Sequence, residues 1–337
     1  MYNSKITGMG HYVPENIVTN NDLSQLMDTT DEWIQERTGI NQRRWAVKGD
    51  GNTTFSMGLR AALNAIKNAR IEKESIDFIV FATLSPDYYF PGPGVQIQEA
   101  LGIDTVGALD VRNQCSGFIY GLSVADQFIK TGMYKNILVI GSELQSRGID
   151  ISTRGRSISV IFGDGAGAAV LSRENDTTKG ILSSHLHSEG AHALKLAAEA
   201  PGMGKRWVTD IIADNNPDDM SYRPYMDGQF VFKNAIRRFC EVINEGLKTN
   251  NLEVSDIDML VPHQANLRIS QYIQKKFQLS DDQVFNNIEH YGNTTAASIP
   301  IALSEACAKG KIKSGDNVVL AAFGSGFTWG SVILKWA

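Results

Sequence analysis

Ser75-Ile76-Asp77-Phe78-Ile79-Val80 has an echo further along the chain, in Asp256-Ile257-Asp258-Met259-Leu260-Val261. Each reads as a polar turn feeding a short apolar run, the pattern of a strand covered on both faces. Asp77 and Asp258 stand 181 residues apart, and the same separation relates Lys135-Asn136-Ile137-Leu138-Val139 to Asp316-Asn317-Val318-Val319-Leu320. Buried strands of any α/β protein resemble one another, so each match is weak alone. The shared separation points to two similar halves, which we place at 1–175 and 176–337. Apolar-periodic segments at 55–70, 117–130, 229–250, 266–278 and 294–309 read as helices between the strands, so the fold class is α/β. Residues 190–225 fit neither half. Pro201-Gly202-Met203-Gly204 and Asp214-Asn215-Asn216-Pro217 mark them as an insertion, expected to be a loop or lid.

The chain has 337 residues, 42% of them hydrophobic and 20% charged, with a net charge of −5. That is an ordinary balance for a folded protein and argues against nucleic acid as the main partner. No apolar run is long enough to span a bilayer, and the first residues lack the apolar stretch of a signal peptide. Three scattered cysteines cannot all pair, which fits a reducing, cytoplasmic setting. No spacing suggests a metal.

Three positions carry chemistry. Cys115 follows the strand-like Leu109-Asp110-Val111 and opens a helix, with small neighbours Ser116 and Gly117. A thiol at a helix N-terminus is expected to favour thiolate, although a lone cysteine is as often inert core. Cys240 and Cys307 lie inside helix patterns and read as core. His263, in Val261-Pro262-His263-Gln264-Ala265-Asn266, sits at the C-terminal end of a strand, where α/β crevices form. Asn293, after Tyr291-Gly292, is either a helix cap or an amide donor. Gly163-Asp164-Gly165-Ala166-Gly167 fits no phosphate-loop pattern and reads as a close-packed turn or strand. Phe323-Gly324-Ser325-Gly326 is a glycine-rich bend whose N–H groups could face a ligand oxygen. Thr29 and Glu32 have the spacing of a capping box ahead of Trp33.

In this order the segments resemble the 3-oxoacyl-acyl-carrier-protein synthase III family of the thiolase superfamily. The resemblance runs from Ile6–Pro14 to Phe327–Gly330, and Asp31-Glu32-Trp33-Ile34-Gln35-Glu36-Arg37-Thr38-Gly39-Ile40, Gly163–Gly167 and His263–Ile269 are its specific marks. The resemblance implies a duplicated, five-layered αβαβα thiolase-like fold. It also implies a triad of Cys115, His263 and Asn293, with backbone N–H groups of Cys115 and Ser325 as the oxyanion donors. The implied reaction is decarboxylating condensation of an acyl-CoA with malonyl-acyl-carrier protein through an acyl-cysteine. No cofactor is implied, since the CoA thioester is a substrate. By the same resemblance Trp33 and Arg154 would sandwich the CoA adenine and Arg37 would approach its phosphates. Met226, Gly228 and Phe232 match the pantetheine tunnel. Phe90 matches the residue that closes the acyl pocket across a homodimer. Arg268 and Lys275 share a helix face, and with Lys233 and Lys276 they form a basic patch suited to an acidic carrier protein.

Ser325 stands where many members have glycine, and Asn113-Gln114 and Asp87-Tyr88-Tyr89 differ from the housekeeping pattern. These departures and the insertion resemble relatives of secondary metabolism, which use longer or aromatic acyl-CoA. A degradative thiolase would need a second catalytic cysteine at the glycine turn, and none is present. A non-catalytic carrier-binding protein is the remaining alternative, and the intact triad argues against it.

Overall fold

Asp77 and Asp258 perform the same task in two places. The Asp77 carboxylate accepts the backbone N–H of Asn136 at 3.2 Å, and the Asp258 carboxylate accepts that of Asn317 at 2.8 Å. The Asn136 and Asn317 side-chain amides donate back to the carbonyls of Ser75 (3.1 Å) and Asp256 (2.8 Å). Each reciprocal pair locks the start of one strand to the turn before its neighbour. The repeat read from the apolar runs is therefore a repeat of hydrogen bonds as well.

The computed structural model describes residues 2–200, 202 and 223–337. One sheet has the order β1-β7-β6-β4-β5. Its strands are β1 (Asn3–Tyr12), β4 (Phe78–Ala82), β5 (Gly107–Val111), β6 (Asn136–Glu143) and β7 (Gly165–Glu174). The other has the order β8-β13-β12-β11, from β8 (Gly180–Ser188), β11 (Met259–Pro262), β12 (Asn317–Gly324) and β13 (Thr328–Lys335). Val284 bridges Leu260 of β11 in parallel, where β5 stands in the first sheet. In both sheets one strand has a parallel neighbour on one side and an antiparallel neighbour on the other: β6 between β4 and β7, and β12 between β11 and β13. All five residues of β4 are buried, as a strand covered on both faces requires.

Helices form the other layers. Helices α3 (Thr54–Ala69) and α4 (Pro93–Leu101) cover the outer face of the first sheet. Helices α5 (Gly117–Lys130) and α10 (Ser298–Ala308) lie between the sheets, where Phe118, Ile119, Leu122, Ile299 and Leu303 join both sheets in one core. Helices α7 (Gly228–Thr249) and α8 (Leu267–Phe277) cover the second sheet, with Phe239, Val242, Ile243 and Ile273 buried beneath them. Each fully buried Ile, Val or Phe contributes roughly 2 kcal/mol. The result is the five-layered αβαβα arrangement.

Smaller elements sit at the edges: β2 (Ile17–Thr19) paired with β3 (Gln42–Arg44), and β9 (Leu196–Ala197) paired with β10 (Tyr225–Met226). Short helices α1 (Asn20–Ser24), α2 (Asp31–Thr38), α6 (Arg156–Ser159) and α9 (Ile288–Tyr291) complete the set used below. The expected helices fall within a residue of the observed ones, except that 294–309 divides into a single 3-10 turn and α10. Gly165–Gly167 are strand, in β7. The cap of α2 is Thr30 rather than Thr29: the Thr30 hydroxyl accepts the N–H of Trp33 at 3.1 Å. Of the expected insertion, 190–200 form a 3-10 segment and β9, whereas 201 and 203–222 lie outside the described residues.

Candidate active site

The turn before α5 is an elbow. Gln114 has φ of 46°, in the left-handed region that side chains disfavour, and Gln114–Ser116 make a single 3-10 turn before the helix begins. The kink places Cys115 at the junction of the two halves. A second elbow faces it 181 residues on, where Thr295 has φ of 53°, Thr295–Ala297 make the 3-10 turn and α10 follows. Ala296 occupies the position in the second elbow that Cys115 has in the first. Each turn packs closely on a strand end: a Cβ on Gly141 of β6 would meet the Ala296 carbonyl oxygen at 2.4 Å, and one on Gly324 of β12 would meet the Cys115 Cβ at 2.7 Å. Both glycines are therefore required by close approach.

Cys115 is buried. Burial, and then the nearby Glu143 carboxylate, push its thiol up to about 12, against the opposing pull of the backbone N–H groups of Cys115 and Ser325. The thiolate expected from the helix N-terminus is therefore corrected. Desolvation outweighs the dipole of a helix start, and the resting group is a thiol. Those two N–H groups are the ones expected to hold an oxyanion, and both converge on Sγ.

His263 follows β11 and is held there by its own N–H to the Ala321 carbonyl at 2.8 Å. Its Nδ1 lies 2.5 Å from the Ser298 hydroxyl at the start of α10. Its Nε2 is buried with no partner among the described residues. Burial lowers the imidazole to about 3, so the ring is neutral. A serine hydroxyl can donate to Nδ1 or accept from it, which leaves Nε2 free to act as donor or acceptor.

Asn293 is seated by its backbone: its N–H donates to the Ile161 carbonyl at 2.8 Å, and its carbonyl accepts from Gly163 at 3.0 Å. Its Oδ1 accepts the Thr295 N–H at 2.8 Å, which leaves the Nδ2 end to donate. The Gly163-Asp164 stretch supports this loop. A Cβ on Gly163 would meet the Tyr291 carbonyl oxygen at 2.1 Å, and the buried Asp164 carboxylate accepts from the N–H groups of Ala46, Gln145 and Ser146.

Cys115, His263 and Asn293 line one cavity of about 170 Å³. Met226, Gly228 and Phe232 line it too, as expected of a tunnel, with Leu196 and Phe239 adding apolar wall. At its mouth Asn266 donates to the Arg37 carbonyl at 2.9 Å, which joins α2 to the start of α8. There the ring centre of Trp33 lies 4.5 Å from the Arg37 guanidinium and 4.8 Å from that of Arg156. The expected partner, Arg154, instead pairs with Asp150 at 2.9 Å. A 3-10 turn at Thr153–Gly155 precedes α6 and brings Arg156 to the ring. Phe90 is 80% exposed and does not line the cavity. Lys233, Arg268, Lys275 and Lys276 are exposed. Arg268 lies over Phe232 beside the cavity, whereas Lys276 acts on Cys240 two helical turns away, so the expected patch is spread along α7 and α8. A larger open groove of about 850 Å³ runs along β1 between α3 and α10 and holds none of the site residues.

Sequence reasoning missed Glu143, Ser298 and Arg156. Glu143 is fully buried at the end of β6, and its carboxylate accepts from Thr83, Leu84, Ser85 and Ala296. A charge closing an otherwise apolar strand was the available signal.

A buried cysteine at an elbow, a neutral histidine and an amide donor converging between two like halves define a thioester-handling enzyme of the thiolase type. The family profiles of 3-oxoacyl-[acyl-carrier-protein] synthase III match residues 109–190, and those of its C-terminal part match 247–336. The chain is 43% identical to the beta-ketoacyl-[acyl-carrier-protein] synthase III of Aliivibrio fischeri, covering 99% of each chain. It superposes on the 3-oxoacyl-[acyl-carrier-protein] synthase III of Aquifex aeolicus with TM-score 0.89 and 40% identity, covering 99% of this chain and 100% of that one. The priming β-ketosynthase of a polyketide pathway is also similar, with TM-score 0.88 and 31% identity over 99% of this chain and 96% of that one. The chain belongs to the 3-oxoacyl-[acyl-carrier-protein] synthase III family.

Proposed function

We propose that this protein condenses an acyl-CoA with malonyl-acyl-carrier protein, releasing CO2 and giving a 3-oxoacyl-carrier protein that initiates fatty-acid synthesis. The convergence of Cys115, His263 and Asn293 on one cavity, with two N–H groups aimed at the sulfur, carries this reading.

The mechanism follows from the charges at rest. Because Cys115 holds its proton, attack on the thioester requires the proton to move as the S–C bond forms. Neutral His263 accepts it at Nε2 and passes it to the departing CoA sulfur. The tetrahedral oxyanion sits on the N–H groups of Cys115 and Ser325. The malonyl thioester then takes the place of CoA. As CO2 leaves, its bonding pair enters the thioester as an enolate, whose oxygen accepts from Asn293 Nδ2 and from His263 Nε2, the ring proton now on Nε2 with Nδ1 accepting from the Ser298 hydroxyl. The carbanion attacks the acyl-cysteine carbonyl, the S–C bond breaks, and the sulfur leaves as thiolate and regains from solvent the one proton that the overall reaction consumes.

Trp33, Arg37 and Arg156 make the adenine and phosphate end of the CoA site. An indole flanked by guanidinium groups suits stacking on a base beside anionic charge. Met226, Gly228 and Phe232 carry the pantetheine arm. Arg268 and Lys233, beside the mouth, receive the acidic carrier protein, with Lys275 and Lys276 further along the helices. The active form is a homodimer. Strand β5 pairs with β4 alone among the described residues, and Leu109, Tyr88, Tyr89 and Phe90 are exposed beside it. An open edge with apolar neighbours is a pairing surface, and Phe90 would close the acyl pocket of the second subunit. Three free thiols suit a reducing cytoplasm.

Asn293→Ala tests the division of labour. Condensation is expected to fall roughly 100- to 1,000-fold, the loss typical of one oxyanion donor, while acyl transfer to Cys115 persists. Near-normal condensation would remove Asn293 from the mechanism.

A further inference from the structure

The oxyanion donors are backbone N–H groups, so no side-chain change deletes them, and the groups that hold their turns in place govern their aim. Between Phe323 and Phe327 the Ser325 turn carries no side chain but that of Ser325 itself. Gly324 and Gly326 flank it, and Gly326 has φ of 137°, a conformation open to glycine. Three hydroxyls fix it instead. Ser325 Oγ donates to the Leu196 carbonyl. Thr328 Oγ1 donates to the Ser325 carbonyl at 3.1 Å and lies 2.7 Å from Ser116 Oγ. Ser116 Oγ in turn donates to the Asn113 carbonyl at 2.9 Å, inside the nucleophile elbow. Ser116 and Thr328 hold two protons for their three contacts, so one contact at a time is a close approach of oxygens; together the contacts reach from the elbow of Cys115, past both oxyanion donors, to strand β9. Leu196 of β9 lines the cavity that holds Cys115, His263 and Asn293.

We infer that Ser325, braced by Thr328 and Ser116, is a positioning residue for the oxyanion hole and couples β9 to the rate of acylation. The inference rests on the proposed acyl transfer to Cys115. Its consequence is a rate effect without a binding effect. If the Ser325 hydroxyl is lost, the turn gains freedom and its N–H leaves the line to the oxyanion, while the CoA contacts at Trp33, Arg37 and Arg156 are untouched.

The test compares wild type, Ser325→Ala and Ser325→Thr by quenched-flow mass spectrometry. The probe is whichever of acetyl-, butyryl- or octanoyl-CoA labels wild type fastest. Ser325→Ala is expected to lower the saturating acylation rate at least about tenfold, with half-saturation changed less than about twofold, because displacement of a catalytic group lowers rate rather than affinity. Ser325→Thr, which keeps the hydroxyl, restores most of the rate. Iodoacetamide alkylation of Cys115 slows in Ser325→Ala as well, because the Ser325 N–H supports the sulfur anion. Melting temperatures report that the variants remain folded. A Ser325→Ala enzyme that acylates at the wild-type rate, or loses only affinity, overturns the inference. If no acyl-CoA labels wild type, the proposed reaction fails instead. The alkylation rates still judge Ser325 then, and equal rates in wild type and Ser325→Ala overturn its role.

Discussion

At Glu143, burial and hydrogen bonding pull in opposite directions. Its carboxylate receives Ser85 Oγ at 2.5 Å, Thr83 Oγ1 at 3.1 Å and the N–H groups of Leu84, Ser85 and Ala296. Those donors favour the anion, yet desolvation dominates and pushes the group from 4.5 up to about 7. The folded protein therefore holds this proton more tightly than the unfolded chain does. The stability it contributes is fully present below about 4.5 and is lost as pH rises through about 7. Denaturant titrations in that window should show wild type losing more stability than Glu143→Gln as pH rises. Parallel curves would contradict the assignment. Glu143 also ties the Ser85 loop, which leads to Phe90, to the turn that follows Asn293. The charge at the end of an apolar strand was legible, but its role was not, because its partners come from two distant segments, Thr83–Ser85 and Ala296. Cys115, His263 and Asn293 were picked out by the resemblance of their segments to a known family, since taken singly each pattern also suits a core thiol, a satisfied imidazole or a helix cap. The protonation state of Cys115 was not, because burial is a property of the assembled site.

Among the elements, the duplication was readable where it lies in buried strands and unreadable where it lies in turns. Asp77 and Asp258 repeat in sequence because the same carboxylate is needed to receive the same backbone N–H. Gln114-Cys115-Ser116 and Thr295-Ala296-Ala297 share no residue, yet both begin with a left-handed φ and end in a helix. What repeats there is backbone shape. Once one copy carried the nucleophile, the other was free to carry Ala296 and to place Asn293 two residues ahead of its bend. Helix boundaries were accurate because long amphipathic or apolar segments announce themselves. The cap at Thr30 and the approach of Arg156 to Trp33 were misread. Each depends on the phase of a short turn, which apolar periodicity does not register.

In the whole molecule, α5 and α10 lie between two sheets, and the site opens where their N-terminal elbows meet. The first sheet ends in β5, whose residues are exposed or half-buried, with the aromatic run Tyr88-Tyr89-Phe90 beside it. A dimer joined there would cover both. Sedimentation should give a dimer for wild type and a shift towards monomer for Phe90→Glu, whereas a monomeric wild type at micromolar concentration would contradict the proposed assembly. The central claim concerns Cys115 itself. Incubation with acyl-CoA in the absence of malonyl-acyl-carrier protein, followed by peptide mass spectrometry, tests it most directly. The prediction is one acyl group on the peptide containing Cys115, none on Cys240 or Cys307, and no adduct in Cys115→Ala. An unmodified Cys115 after exposure to a full series of acyl-CoA thioesters, or acylation at another residue, would contradict it.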